Sequence, residues 1–332
     1  MSIHKFVCDS PAHKPYRYKR VSVKEQPLPQ FGMCLLGSFN LTKYIKQNEL
    51  GKFIFDYDKF EQDILDIVPA MDNIIDTALY PLPEQQDSAH NKRRIGIGIT
   101  GLANAMEILG YPYGSEEGFA FTEEIMITLR NNAYYASIRL AEKKGPFPYF
   151  DADKYLESDF AKSLPWHIRA DIKKNGIRNS HLLSIAPTGT ISLTADNISS
   201  GIEPVFTKEY TRTMNLKEGT KTVVMKDYAW DRYGVEPVSA DELPVETHVR
   251  MLTLCSKYVD SACSKTCNVG ADVSWDRFKN AYMQAYDEGA SGCTTFRAAG
   301  KRYGILNKIE EPKKEEGTAC FIDPVTGQPQ CS

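Results

Sequence analysis

Residues 184–204 read Ser-Ile-Ala-Pro-Thr-Gly-Thr-Ile-Ser-Leu-Thr-Ala-Asp-Asn-Ile-Ser-Ser-Gly-Ile-Glu-Pro, and no other stretch constrains the chain as tightly. An apolar run (Leu182, Leu183, Ile185) feeds Pro187-Thr-Gly-Thr190, which enters a second hydroxyl-rich segment. A strand, a tight turn and small residues with unobstructed backbone N–H groups are a way to cradle an anion. Gly189 lets backbone approach a ligand closely, and Thr188, Thr190 and Ser192 add hydroxyl donors. No Lys lies inside the loop, so it is not a Walker A phosphate loop. The competing reading is an ordinary strand-to-turn of small residues, and residue chemistry alone leaves both open.

The wording of several segments, in order, resembles the large subunit of ribonucleotide reductases, most closely the adenosylcobalamin-dependent (class II) branch. Ala186-Pro-Thr-Gly-Thr-Ile-Ser192 followed by Ser200-Gly-Ile-Glu-Pro204 resembles the family's substrate-phosphate loop. Glu25-Gln-Pro-Leu-Pro-Gln-Phe-Gly-Met-Cys-Leu-Leu-Gly-Ser-Phe-Asn-Leu41 resembles the segment after its active-site cysteine. Gly96-Ile-Gly-Ile-Thr-Gly-Leu-Ala103 with Tyr113-Gly-Ser115 is similar to a later helical block; Ser264-Lys-Thr-Cys-Asn268 and Gly292-Cys-Thr-Thr-Phe-Arg297 are similar to the end of the barrel. The resemblance runs from about residue 25 to the end.

It implies an α/β fold, the C-terminal half of a ten-stranded barrel with a flexible C-terminal tail. It also implies reduction of ribonucleotides to deoxyribonucleotides by thiyl-radical chemistry. Pro187, Thr188, Gly189, Thr190, Ile191 and Ser192 would hold the phosphates of a ribonucleoside di- or triphosphate. Glu25 would take the ribose 3′-hydroxyl proton, and Cys34 would be one of two thiols that reduce the nucleotide. Cys320 and Cys331 sit where the family carries its C-terminal thiols, and a tethered dithiol suits relay of electrons from a thioredoxin- or glutaredoxin-like reductant. The class II branch implies adenosylcobalamin; the class I branch would use a separate radical-generating subunit. No metal is expected.

The chain also departs from the pattern. Where the family has Asn-Pro-Cys-Gly-Glu, this sequence has Val21-Ser-Val-Lys-Glu25. Neither valine can do the chemistry of the radical cysteine or the substrate-binding asparagine, and the family's N-terminal half is not in the sequence. The expectation is a split gene, with activity only alongside a partner chain carrying the other half; a non-catalytic nucleotide- or partner-binding fragment is the alternative.

The organisation reads as residues 1–24 outside the family pattern, a barrel portion over 25–306 and a tail over 307–332. Segment 1–24 is basic and aromatic, with Lys14-Pro-Tyr-Arg-Tyr-Lys-Arg20, and reads as a flexible extension in preference to a binding arm. The spacing of Phe60, Ile64, Ile67, Met71, Ile74, Ile75 and Ala78 predicts a helix over 57–80, kinked or split at Pro69. Helices are also predicted over 101–110, 119–143, 243–258 and 274–288, with Ser115 and Ser274 as N-caps, and 166–180 reads as a polar helix and loop before a strand at about 181–186. Segment 207–224 is β-prone, and 307–317 reads as a charged linker.

Gly96-x-Gly-x-x-Gly101 is a formal dinucleotide fingerprint, but the polar stretch before it does not supply the required buried strand, so its glycines are assigned to tight helix packing. Cys263-x3-Cys267 has no second half for a structural metal site, and these residues read as buried thiols. Net charge is −3, which argues against a nucleic-acid-binding field. No apolar run reaches membrane-spanning length, and eight scattered cysteines in 332 residues fit a reducing cytoplasm.

Overall fold

The computed structural model describes residues 28–216, 219–270, 272–297, 306–308, 320–322 and 329–331, with 213–216, 220 and the last three segments as backbone. Residues 1–24, Glu25 and segment 309–317 therefore lie outside the described residues, as do the side chains of Cys320 and Cys331.

Strands β1 (Leu35–Asn40), β2 (Ile45–Gln47) and β3 (Phe53–Phe55) precede helices α1 (Tyr57–Thr77) and α2 (Pro83–Lys92). Strand β4 (Ile95–Thr100) leads into α3 (Leu102–Leu109), α4 (Glu116–Lys144), α5 (Ala152–Leu156), α6 (Asp159–Ser163) and α7 (Trp166–Asn175). After a single helical turn, α8 (Ile191–Thr194), come β5 (Glu209–Leu216), β6 (Gly219–Lys226), α9 (Tyr228–Tyr233) and α10 (Val245–Ser256). Strand β7 (Thr266–Val269), α11 (Trp275–Asp287) and β8 (Thr294–Arg297) follow, then β9 (Leu306–Lys308), β10 (Cys320–Ile322) and β11 (Pro329–Cys331).

Two compact units result. Described residues through 208 and from 226 to 297 form the first, and 209–225 with the three late strands form the second. The first unit carries a row of five parallel stretches in chain order. β1 pairs with β4 from Leu35↔Ile95 to Asn40↔Thr100. β4 bridges segment 182–185 at Ile97↔Leu183, that segment bridges the next at Ile185↔Cys263, and the run continues into β7, which pairs with β8. Each crossover contains helix, the only economical connection between adjacent parallel strands. All six residues of β4 are buried, as expected for an inner parallel strand covered on both faces. Among the described residues, β1 and β8 each pair on one side only, so the row is an open half of a barrel.

Helix α1 buries Phe60, Ile64, Met71 and Ile75 of the predicted stripe together with Val68, whereas Ile67, Ile74 and Ala78, counted in that stripe, are exposed. It runs unbroken through Pro69, so the expected split does not occur. The same buried stripe continues on both sides of the proline, and burial of about 1.5–3 kcal/mol per large side chain outweighs a helix penalty of about 3 kcal/mol. Ser115 and Ser274 cap α4 and α11 by accepting hydrogen bonds from the N–H groups of Gly118 and Arg277.

A buried ionic pin joins α1 to the strand row. Asp72 is fully buried and accepts hydrogen bonds from Arg93 Nε (2.7 Å), Arg178 Nε (3.2 Å) and Asn179 Nδ2 (3.0 Å).

Two further expectations change. The Gly96 run is not part of a helical block: 95–100 is β4, and its glycines serve close approach of strands, not helix packing. A Cβ on Gly98 would lie 2.3 Å from the carbonyl oxygen of Ser184. Asn307 and Lys308, expected to open the linker, lie in β9 and pair with β5. In the second unit the β-prone excursion forms β5 and β6, and β10 and β11 form an antiparallel hairpin.

Candidate functional site

Segment 182–185 ends as Pro187 is reached, and the chain turns through Thr188 at φ +53°. That left-handed conformation is uncommon for a β-branched residue and is held by its surroundings. Thr188 is buried, and its hydroxyl lies 2.9 Å from that of Thr100 at the end of β4. Thr100 in turn donates to the Ser199 carbonyl (3.1 Å) and accepts from the Gly201 N–H (3.2 Å). Ser192, also buried, donates to the Gly189 carbonyl (3.2 Å) and lies 3.1 Å from the Ser200 hydroxyl.

The hydroxyls of Thr188 and Ser192, expected to serve as ligand donors, are thus engaged in holding the loop. The outward face is made by Gly189, Thr190 and Ile191, all exposed. Among the described residues no carbonyl accepts from the N–H of Gly189 or Thr190, and a Cβ on Gly189 would meet nothing within 4 Å. Backbone N–H groups left without a carbonyl partner at an exposed turn are suited to holding an anion.

Segment 199–204 backs this loop. Gly201, at φ +56°, lets its backbone pass so close that a Cβ would lie 2.9 Å from the Ala186 carbonyl oxygen. Asn104 on α3 accepts from the Ser199 N–H (2.6 Å) and donates to Glu107 (3.0 Å) and Asp227 (2.8 Å). Burial, and then the charge of Asp227, push the Glu107 carboxyl up to about 9. At the other end, Glu203 accepts from the Lys265 ammonium (2.9 Å) and the Thr266 N–H (2.6 Å), tying the segment to β7. Burial disfavours charge on Lys265, but the Glu203 carboxylate, assisted by Tyr113 and Cys267, outweighs it and holds the ammonium charged.

Cys34 immediately precedes β1. Its sulfur would lie 3.2 Å from a Cβ on Gly96, so this glycine opens the strand surface beside the thiol. Gly96 and Thr100 are four residues apart on β4, about 13 Å in a parallel strand. Cys34 and the Thr188 loop therefore stand at the two ends of one buried strand. In the second unit the backbones of Cys320 and Cys331 are directly opposite one another across β10 and β11.

Sequence reasoning missed Thr100, Asn104, Ser199, Glu203 and Lys265. The alternation Ile95, Ile97, Ile99 was the available signal for β4, and hence for Thr100 at its end.

Comparison with known proteins then settles the lineage. The family model described as ribonucleotide reductase, barrel domain, matches residues 16–232 and 229–296. The chain belongs to the ribonucleotide reductase barrel family. The match begins inside segment 1–24, expected to stand outside the family. A vitamin B12-dependent ribonucleoside-diphosphate reductase of Mycobacterium tuberculosis is 32% identical over 317 residues, covering 87% of this chain and 42% of that protein. One from Thermoplasma acidophilum is 29% identical, covering 92% of this chain and 41% of the relative. A ribonucleoside-diphosphate reductase subunit alpha of Chlamydia pneumoniae is 30% identical over 196 residues, 52% of this chain and 18% of its own. The chain thus spans about two fifths of the length of the vitamin B12-dependent relatives. Among the described residues, no helix is long and apolar enough to cross a membrane.

Proposed function

We propose that this chain supplies the phosphate-binding and reducing-thiol half of a ribonucleotide reductase, and that it acts with a polypeptide carrying the N-terminal half of the barrel. The observation that carries this is the single strand β4, with the open-faced Gly189 turn fixed at one end through Thr100 and Cys34 against Gly96 near the other. The two edges of the strand row left unpaired among the described residues, and the valines at positions 21 and 23, support the need for a partner, since unpaired edges call for cover and neither valine can serve as the radical cysteine.

In this reading the N–H groups of Gly189 and Thr190 and the Thr190 hydroxyl bind the substrate phosphates, within the loop Pro187–Ser192. Thr188 and Ser192 keep the loop in shape. The names of the relatives favour a ribonucleoside diphosphate. Glu25 accepts the ribose 3′-hydroxyl proton. Cys34 and a thiol of the partner supply two electrons: the 2′ carbon–oxygen bond breaks, water leaves and the two sulfurs form a disulfide. Cys320 and Cys331 then reduce that disulfide by exchange and are recharged by a thioredoxin- or glutaredoxin-like protein, in a reducing cytoplasm.

Adenosylcobalamin is the radical source favoured by the names of the relatives. The described residues do not by themselves fit a corrin. One open depression of about 490 Å³ is lined by Gln30, Phe31, Glu84, Asp87 and Lys92 among others, and another of about 600 Å³ by Asp153, Glu157, Lys162, Trp166 and Arg169 among others. Neither touches Cys34 or the phosphate loop.

The test is titration of the mixed halves with cytidine diphosphate. Saturable binding that weakens at least tenfold in Gly189→Ala, with folding unchanged, is expected. Equal affinity in wild type and variant would overturn the loop assignment.

A further inference from the structure

Four of the described cysteines are buried away from β1: Cys255, Cys263, Cys267 and Cys293. Two of them touch. Cys267 lies in β7 and Cys293 just before β8, and their sulfurs are 3.8 Å apart across the parallel pair. Neither residue belongs to the reaction proposed above. A disulfide needs the sulfurs at about 2.05 Å, a closure of under 2 Å that side-chain rotation can supply between neighbouring strands.

The two thiols are unlike. Cys267 is fully buried, whereas Cys293 keeps 6% exposure. The hydrogen-bonding contact with Cys267 draws the Cys293 thiol below its ordinary range; burial opposes this, and the charge of Lys265 assists it. The same contact, with burial, pushes Cys267 upward. One member is therefore more accessible and more readily ionised, and the other is a shielded thiol in contact with it. That asymmetry distinguishes an attacking from a resolving cysteine.

We propose that Cys267 and Cys293 are a reversible redox pair in the barrel wall, oxidised by a hydroperoxide and restored by a dithiol. The Cys293 thiolate attacks the terminal peroxide oxygen, the O–O bond breaks, the alcohol or water leaves with a proton, and Cys293 becomes a sulfenic acid. Cys267 then attacks that sulfur. The S–S bond forms, the S–O bond breaks, and the hydroxyl departs as water with the Cys267 proton. Two electrons pass from the thiols to the peroxide. A dithiol reverses the product by two exchanges, ending as its own disulfide.

The full chain is exposed to hydrogen peroxide under native conditions, quenched with an alkylating agent in denaturant and digested with trypsin. Cleavage at Lys and Arg isolates Cys267 in peptide 266–277 and Cys293 in peptide 280–297, each with one cysteine. The expected result is these two peptides linked, lighter by two hydrogens than the separate pair, and released by dithiothreitol. In Cys267→Ala the link is lost, and dimedone instead labels Cys293. Wild-type protein in which Cys34 is oxidised but 266–277 and 280–297 stay unlinked would overturn the proposal. So would a link that forms only after unfolding in urea.

Discussion

Replacing Gly98 with alanine tests how the strand row is held together. The new Cβ would lie 2.3 Å from the Ser184 carbonyl oxygen and 3.4 Å from the Ile185 Cα, so β4 and segment 182–185 must separate by about 1 Å to reach van der Waals contact. Two buried hydrogen bonds flank the site, from Ile97 N–H to the Leu182 carbonyl (2.7 Å) and from Ser184 N–H to the Ile97 carbonyl (3.0 Å). Separation takes both beyond useful length, at about 1 kcal/mol each. Overpacking strain adds about 1–3 kcal/mol. Against this, alanine gains about 0.5–1 kcal/mol from lower chain entropy when unfolded. The net expectation is a loss of about 2–4 kcal/mol. All three tryptophans (Trp166, Trp230, Trp275) lie in the unit that contains the strand row, so urea unfolding followed by tryptophan fluorescence reports on it. Gly189→Ala is the control, since its Cβ meets nothing, and its unfolding curve should overlay wild type within about 0.5 kcal/mol. A Gly98→Ala protein as stable as the control would refute the reasoning.

Asp72→Ala leaves the buried guanidinium of Arg93 without its Asp72 partner and should destabilise the first unit by about 3–5 kcal/mol by the same measurement. Glu107 gives a pH signature. Its folded pKa of about 9 stands above the unfolded 4.5, so its contribution to stability is full below pH 4.5 and is lost as pH rises through 9. Glu107→Gln should flatten that decline, by on the order of 1–3 kcal/mol at the alkaline end, and parallel pH profiles for both proteins would count against it. Replacing Cys320 and Cys331 together with serine should abolish turnover by the mixed halves with a protein reductant and spare it with dithiothreitol; equal loss with both would remove the shuttle role.

Much of the first unit was legible because its signals are local. The stripe from Phe60 to Ile75 and the caps Ser115 and Ser274 state helices in the run of residues itself. The loop at Thr188–Gly189 was visible for the same reason. Helix α2 was not, because its face is almost wholly polar and only Ser88 and Ala89 are buried. β4 was misread because glycine sits where a half-buried strand would show polar side chains, and the need for glycine comes from Ser184, 86 residues away. The supports of the site are long-range too. Thr100 meets Thr188, Asn104 meets Asp227 and Lys265 meets Glu203 only once the strands are aligned. The Cys267–Cys293 contact is hidden similarly, since it depends on the parallel pairing of β7 with β8.

The most direct test of the central claim is deoxycytidine diphosphate formation from cytidine diphosphate with adenosylcobalamin and dithiothreitol. It is assayed with this chain, with a chain carrying the N-terminal half, and with both. Product only in the mixture, lost when Cys34 is replaced by serine, is what a half-barrel supplying the phosphate loop and a reducing thiol predicts. A folded, associated mixture that forms no product, or one whose rate is unchanged in Cys34→Ser, would contradict it.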